Sequence, residues 1–399
     1  MTDQDAHEPL PFPDRDPADE PARLQVTSPS HPLEVDHFLF KGRRDWSQGV
    51  RILVAGGGTG DALIQMAQVL TTAGKPYEII YLDTAINARA IAEARAAARG
   101  LTGVRFETGS LLDAARFDLF DYIDCAGVLH HLADPQAGID ALAGALASGG
   151  GIGLSVAAPF GREGVLALQK AFAETIPQGD PVKRLAAARA VFARIPQRHA
   201  VLSNPHLRAQ IATDAGFYDL LLKGPDQPFA MDQLMEALTA AGLAATGLPQ
   251  AHLYDLARFF PEDLEDISPV AAMALAEKLD GTIRSHALYA THAGLAEGRV
   301  AQGLDAADVP HLRGASGLNL AKMVAAKGAL SIALSGARTV LPVPASAAPI
   351  LAGITGHKTL GQLREAVGLD TVSWGPLWST LHRDLTRFGL LRYSRLLVS

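Results

Sequence analysis

Between residues 51 and 158 short apolar runs alternate with helical stretches, and this rhythm limits the fold more than anything else in the chain. RILVA (51–55) reads as a strand broken by the glycine run GGGTG (56–60), after which Leu63, Met66, Ala67 and Leu70 recur at helical spacing. EIIYLD (78–83) is a second strand, followed by an Ala/Arg-rich helix to Arg99. VRFETG (104–109), YIDCAG (122–127) and GIGLSVAA (151–158) are the third, fourth and fifth strands. Asp134 and Pro135 supply an N-cap and first-turn pair for a helix ending near Ala147. Strands alternating with helices imply an α/β fold: a Rossmann-like, mostly parallel, doubly wound sheet with helices on both faces.

The rest of the chain has a different texture. Residues 1–36 are rich in Pro and Asp and read as an acidic flexible arm. Nine acids stand there against Arg15 and Arg23, which accounts for the whole net charge of −7. The body is neutral, so no nucleic acid is expected as a partner. Aromatic residues in HFLFKGRRDW (37–46) mark the start of a core that runs to 160. Helices at 161–176, near 181–195 and at 229–243 make a middle, substrate region over 161–260 that completes the core. From 261 to 399 the chain reads as a mostly helical C-terminal domain. Two short helices (349–368), a helix (376–388) and a terminal strand give its end a winged-helix-like pattern, a type of module that often makes a homodimer or other protein contact. The first residues lack the pattern of a signal peptide. The most apolar stretch (318–354) is broken by Lys322, Lys327, Arg338 and three prolines, so no membrane insertion is expected. A single cysteine, Cys125, excludes internal disulfides and Cys-based zinc sites; no metal is expected, and a cytoplasmic protein is the default.

Four loops after these strands carry the chemistry. A dehydrogenase-type G-x-G-x-x-G motif would need a glycine at 61, where Asp61 stands; Gly56, Gly58 and Gly60 instead make G-x-G-x-G. So bare a loop either turns the chain or lets backbone approach a ligand closely. Asp83 ends the second strand, where a carboxylate either accepts from both ribose hydroxyls of a nucleoside or caps the next helix. After the third strand, Ser110 and Leu111 offer a side-chain oxygen and a backbone N–H to an adenine edge. The fourth loop runs from Cys125 and Ala126 to His130, His131 and Leu132. All four lie side by side at one end of the sheet, where such folds bind ligands.

With these residues the stretch from about 50 to 158 resembles the class I S-adenosylmethionine-dependent methyltransferases. VAGGGTGDA, FDYIDCAGVLHHLADPQAGI, APFGREGVLALQ and FYDLLLKGPDQPF are similar to one bacterial group, which includes the lysine methyltransferases acting on rickettsial outer membrane protein B. The resemblance implies S-adenosylmethionine rather than NAD as cofactor. It implies that Gly56, Gly57, Gly58 and Gly60 lie against its methionine part, that Asp83 binds ribose, and that Ser110 and Leu111 meet adenine, with Cys125 and Ala126 bordering the same crevice. Many members carry an acid where Ala55 and Ser110 stand here, so the 37–46 segment, with Lys41, Arg43 and Arg44, is expected to help as a lid.

Transfer of methyl from a sulfonium needs alignment, and an amine acceptor must first be neutral. His130 and His131 are the candidate catalytic residues: each is a proton acceptor, or else packs on the cofactor or caps the helix at Asp134. In a consecutive pair one ring faces the crevice, and His130 is the expected one. Cys125 is read as a small buried group rather than a nucleophile. Arg162 either holds an acidic group of the acceptor or lies solvated on the surface. The run Lys183, Arg184, Arg189, Arg194, Arg198 and Arg208 is either a solvated face or a contact for an acidic protein. Trp374 and Trp378, four apart, are expected in a C-terminal core. The acceptor expected is a lysine of a protein; a small-molecule acceptor and a non-catalytic scaffold are the alternatives.

Overall fold

In strand β1 (Arg51–Ala55) side chains alternate between two apolar layers, as in a strand buried on both faces. Ile52 and Val54 pack with helices α1 (Pro32–Leu39) and α2 (Asp61–Thr72), while Leu53 and Ala55 pack on the opposite face. The computed structural model describes residues 10–260, 266–334 and 337–398; the first nine residues of the acidic arm lie outside them. Around β1 the chain builds β2 (Glu78–Asp83), α3 (Ile86–Ala98), β3 (Val104–Thr108), β4 (Phe120–Ala126), α4 (Pro135–Gly144) and β5 (Leu146–Ala157). Two further strands, β6 (Leu243–Gly247) and β7 (Ser285–His292), complete one seven-stranded sheet in the order β3-β2-β1-β4-β5-β7-β6. Only β7 is reversed, pairing antiparallel with both β5 and β6.

β1 and β2 coincide with the expected strands, and Asp134 caps α4 by accepting from Ala137 N–H at 3.1 Å. β7 corrects the reading, because it lies in the stretch expected as a helical C-terminal domain. SHALYATH buries Leu288 and Ala290 on one face and Tyr289 on the other. Its alanines and histidines lack the β-branched signature of a strand, and its place in the sheet comes from pairing with β5.

Residues 10–36 also correct the reading: they are not a free arm. The Gln65 side chain, fully buried on α2, accepts from Thr27 N–H at 2.6 Å and donates to the carbonyls of Thr27 and Ser30 at 3.0 and 2.6 Å. Bare positions in β5 make room for the strap. A Cβ on Gly151 would meet Leu39, and one on Gly153 would meet Pro29 and the Tyr122 hydroxyl. Helix α1 then buries two carboxylates. Glu34 accepts from Ser28 Oγ at 2.7 Å and the Tyr289 hydroxyl at 3.1 Å, and is ion-paired with Arg313. Asp36 accepts from Trp46 Nε1 at 3.0 Å, Ser394 Oγ at 2.6 Å and the backbone N–H groups of Arg44 and Arg395.

Helices α5 (Val165–Thr175) and α6 (Pro181–Phe192) and a further helix, Asp214–Leu221, share one apolar cluster built on Phe172 and Phe217. The C-terminal part is largely helical, with short strands added. Helices Gly317–Lys327, Leu360–Val367 and Thr371–Arg387 pack with a hairpin (Ala329–Leu334 on Ala337–Pro342). Strand Leu391–Tyr393 pairs with Pro310–Leu312, and Trp374 stacks on Trp378 with ring centres 5.3 Å apart. No helix among the described residues is long and apolar enough to cross a membrane.

Glu34→Gln leaves Arg313 and the buried Arg392 without their carboxylate. Loss of one partner of a buried pair costs about 3–5 kcal/mol; urea titration of the variant beside the parent chain should show a loss of that size.

Candidate functional site

At the carboxyl edge of β1 the chain turns through positive φ at Gly56, Gly58 and Gly60, a conformation that excludes most side chains. Gly56 N–H donates to Leu82 O at 2.7 Å, which ties the loop to β2. Asp83, at the end of β2, accepts from Gly58 N–H through Oδ2 (2.7 Å) and from Ala85 N–H through Oδ1 (2.8 Å). Each oxygen keeps a second lone pair, so a ligand with two adjacent hydroxyls can add to these bonds without displacing them. The Tyr81 hydroxyl donates to Gly58 O at 2.6 Å, and its ring lies where a Cβ on Gly57 would go. A Cβ on Gly127, past β4, would meet nothing within 4 Å. Gly127 therefore leaves backbone bare at the crevice beside the loop. Gly60 is backed by Ala92 of α3 instead.

Asp61, standing where a dehydrogenase loop has its third glycine, holds the N-terminal strap. Its carboxylate accepts from Arg15 at 2.9 and 2.6 Å and from Arg95 at 2.8 Å. Thr59 Oγ1 donates to Pro13 O at 2.7 Å, and Phe12 O lies 3.1 Å from the place a Cβ on Gly58 would take. Glu20, buried against α3, is ion-paired with Arg95 and Arg99. The segment beside the glycine loop is thus 12–15, and the expected lid at 37–46 is corrected. Arg43 donates to Asp308 at 2.8 Å and pairs with Asp305, and Lys41 N–H donates to Arg299 O. Arg44 reaches Asp121 at the opposite, amino end of β4.

Ser110 Oγ accepts from Leu112 N–H at 3.2 Å and so caps a short 3-10 turn; the Leu111 side chain is buried in the core, leaving only its backbone to face a ligand. Cys125 is also corrected as a crevice residue: its thiol is fully buried beneath the loops, and burial pushes its pKa up. Ala126, next along, is half-buried at the edge.

Beyond β4 the two histidines separate in role. His130 is 7% exposed, and its Nδ1 accepts from Ala157 N–H at 3.3 Å, so the neutral ring carries its proton on Nε2. Burial, with the charge of His131 adding, lowers it to about 2. His131 is more exposed, and its Nδ1 lies 2.9 Å from Asp226 Oδ1. A carboxylate only accepts, so Nδ1 donates and Nε2 keeps a lone pair. Asp226 Oδ2 accepts from Arg162 at 2.6 Å, so Arg162 is neither solvated nor free. Burial alone would raise the Asp226 carboxyl, yet the His131 hydrogen bond and the charges of His131 and Arg162 hold it at about 2. His130, His131 and Asp226 bring ligand atoms within 4.8 Å of one another, but the Arg162 guanidinium on the same carboxylate opposes a cation there. Sequence reasoning passed over Asp226. Its signal was GPDQPF, which docks here through Gln227 N–H on His130 O at 2.7 Å.

Glu20→Ala should release the strap, so that trypsin cuts at Arg15 and Arg23 early in a digest that leaves the parent intact. The Asp226 contribution to stability has a defined pH window. A carboxyl depressed on folding stabilises fully above about pH 4, where the unfolded side chain is ionised, and loses that effect as pH falls through its folded value. The stability gap between parent and Asp226→Asn, read by urea titration, should accordingly narrow from pH 4 toward 2.

Residues 53–152 match a family model described as a methyltransferase domain. An uncharacterised protein of a Synechococcus strain is 30% identical over 216 residues, 53% of this chain and 51% of its own. The chain thus spans about half the length of that relative. PKMT2 from Rickettsia typhi superposes with a TM-score of 0.60 at 14% identity, over 92% of this chain and 76% of that one. In its complex with AdoHcy the values are 0.58, 14%, 91% and 74%. Family model and fold point the same way: residues 53–152 are similar to a methyltransferase domain, within a chain whose overall fold resembles that of rickettsial PKMT2.

Proposed function

We propose that the chain is an S-adenosylmethionine-dependent methyltransferase and that its acceptor is a lysine amine of a protein. The observation that carries the cofactor is the Asp83 carboxylate bound to Gly58 N–H at 2.7 Å, with lone pairs to spare beside the glycine loop. Gly56, Gly57, Gly58 and Gly60 would bound the methionine part, Asp83 the ribose, and Ser110 with the Leu111 backbone the adenine. When bound, the cofactor supplies a methyl group on an electrophilic sulfonium. The likeness in fold to PKMT2 supports lysine as the acceptor, and a buried lone cysteine supports a cytoplasmic setting.

What this chain's residues contribute is orientation and proton transfer. Fixing nucleophile and methyl in line accounts for about 7–11 kcal/mol of barrier in well-oriented reactions. A lysine amine, protonated at neutral pH, must lose a proton. His131 is the group arranged to take it: Asp226 fixes its Nδ1–H and stabilises the imidazolium that forms, leaving Nε2 to accept. His130, whose Nδ1 is occupied by Ala157 N–H, holds the loop in place, which reverses the expectation that it is the ring facing the crevice.

Calorimetry with S-adenosylmethionine and transfer of labelled methyl into protein test this reading. Asp83→Ala should abolish cofactor binding, and His131→Ala should cut turnover by about a hundredfold or more with cofactor affinity unchanged. Label in small molecules alone would replace the lysine acceptor, and cofactor binding without any transfer would make the protein a scaffold.

A further inference from the structure

A cavity of about 350 Å³ opens at the same sheet edge, on the face that carries α1. Leu154 and Val156 of β5 point into the α4 layer, so Ser155 between them faces the cavity. Ser155 O accepts from Gly127 N–H at 2.8 Å, which sets the cavity directly beside the loop leaving β4. Val26, Leu253 and Ala287 give it an apolar wall, and Ser28, Tyr254 and Arg313 a polar one.

The polar groups are oriented from behind. The Tyr254 hydroxyl lies 2.8 Å from His286 Nδ1. His286 Nε2 faces two acceptors, Phe229 O at 2.9 Å and Glu277 Oε1 at 3.2 Å, so the neutral ring carries its proton on Nε2. Nδ1 is then an acceptor and Tyr254 the donor. Ser28 Oγ likewise donates, to Glu34 Oε2 at 2.7 Å. Both oxygens have spent their protons on the protein and offer only lone pairs to whatever occupies the cavity. At these two oxygens a ligand must bring N–H or O–H donors on a short apolar stem, while Thr27, Ser155, Gln250, Ser285 and Arg313 complete the polar lining. No acid lines the cavity and Arg313 does, so a charged ammonium finds no counter-ion there.

We propose that this cavity receives the acceptor's alkylamine side chain as the neutral amine, with Tyr254 and Ser28 accepting from its N–H groups. The inference rests on the methyltransferase reading and names the substrate class of that site. Tyr254 acts in it by touching the acceptor, and His286 and Glu277 act as positioning residues through Tyr254.

Ligand-observed NMR with Nα-acetyl-lysine methylamide, in the presence of S-adenosylhomocysteine, tests it without requiring turnover. The probe should bind the parent chain, and its norleucine counterpart, which lacks the amine, should not. Ala287→Leu, which fills the cavity, and Tyr254→Phe, which removes the acceptor oxygen, should each weaken the probe by about tenfold or more. Both variants should keep the parent's calorimetric affinity for S-adenosylhomocysteine, which shows that they are folded. Equal binding of the probe to parent and both variants, or no binding to the parent, overturns the cavity assignment. Failure of the parent to bind S-adenosylhomocysteine overturns the methyltransferase reading instead, and the probe result still judges the cavity.

Discussion

Two carboxylates on α1 hold this molecule together. Glu34 and Asp36 are buried where an unpaired charge would be prohibitive, so the groups that satisfy them must be in place whenever the protein is folded. Those groups come from both ends of the chain: Ser28 from the strap, Trp46 from the approach to β1, Tyr289 from β7, Arg313 and Ser394 from the C-terminal part. The helix can lie so deep because β5 is bare at Gly151 and Gly153, where any side chain would meet Leu39, Pro29 or Tyr122. A glycine-rich strand thus serves as the seat of a helix.

The same anchoring reaches the crevice. The strap leaves α1 in the N-terminal direction, is held by Gln65 and Glu20, and reaches the glycine loop at Pro13 and Phe12. Asp61 sits at the start of α2 and opposes Arg15 and Arg95 there. A third glycine at that position would favour tight helix–strand packing; an acid fixes neighbouring chain instead. On the far side of the crevice a short segment around Asp226 does comparable work, ordering His131 through its carboxylate and the turn below it through Gln227.

Much of the sheet was legible because parallel strands buried on both faces are continuous apolar runs, as RILVA and EIIYLD are. The place of Asp83 was legible for a related reason, since the end of the second strand has a defined position relative to the first. The strap was not. Prolines and acids describe a segment unable to form a core of its own, and nothing local says that Arg95, Arg99 and Gln65 await it on other elements. β7 was hidden because its alanines and histidines suit a helix as well as a strand. The histidines were found as a pair, but which ring does what depends on Ala157 and Asp226, respectively 27 and 95 residues further along.

The link between Asp36 and Ser394 spans 358 residues. Contacts that distant form late, because the loop between them must be ordered first. A ribosome makes the chain in sequence order, so α1 waits with two acids unsatisfied until residues 313 and 394 have been synthesised. The sheet's first five strands can form before then, but the seat on β5 cannot hold its helix firmly. A nascent chain stalled before residue 394 thus already carries Gln65, Arg95 and Asp61 to hold the strap, but leaves the buried Asp36 short of its Ser394 bond.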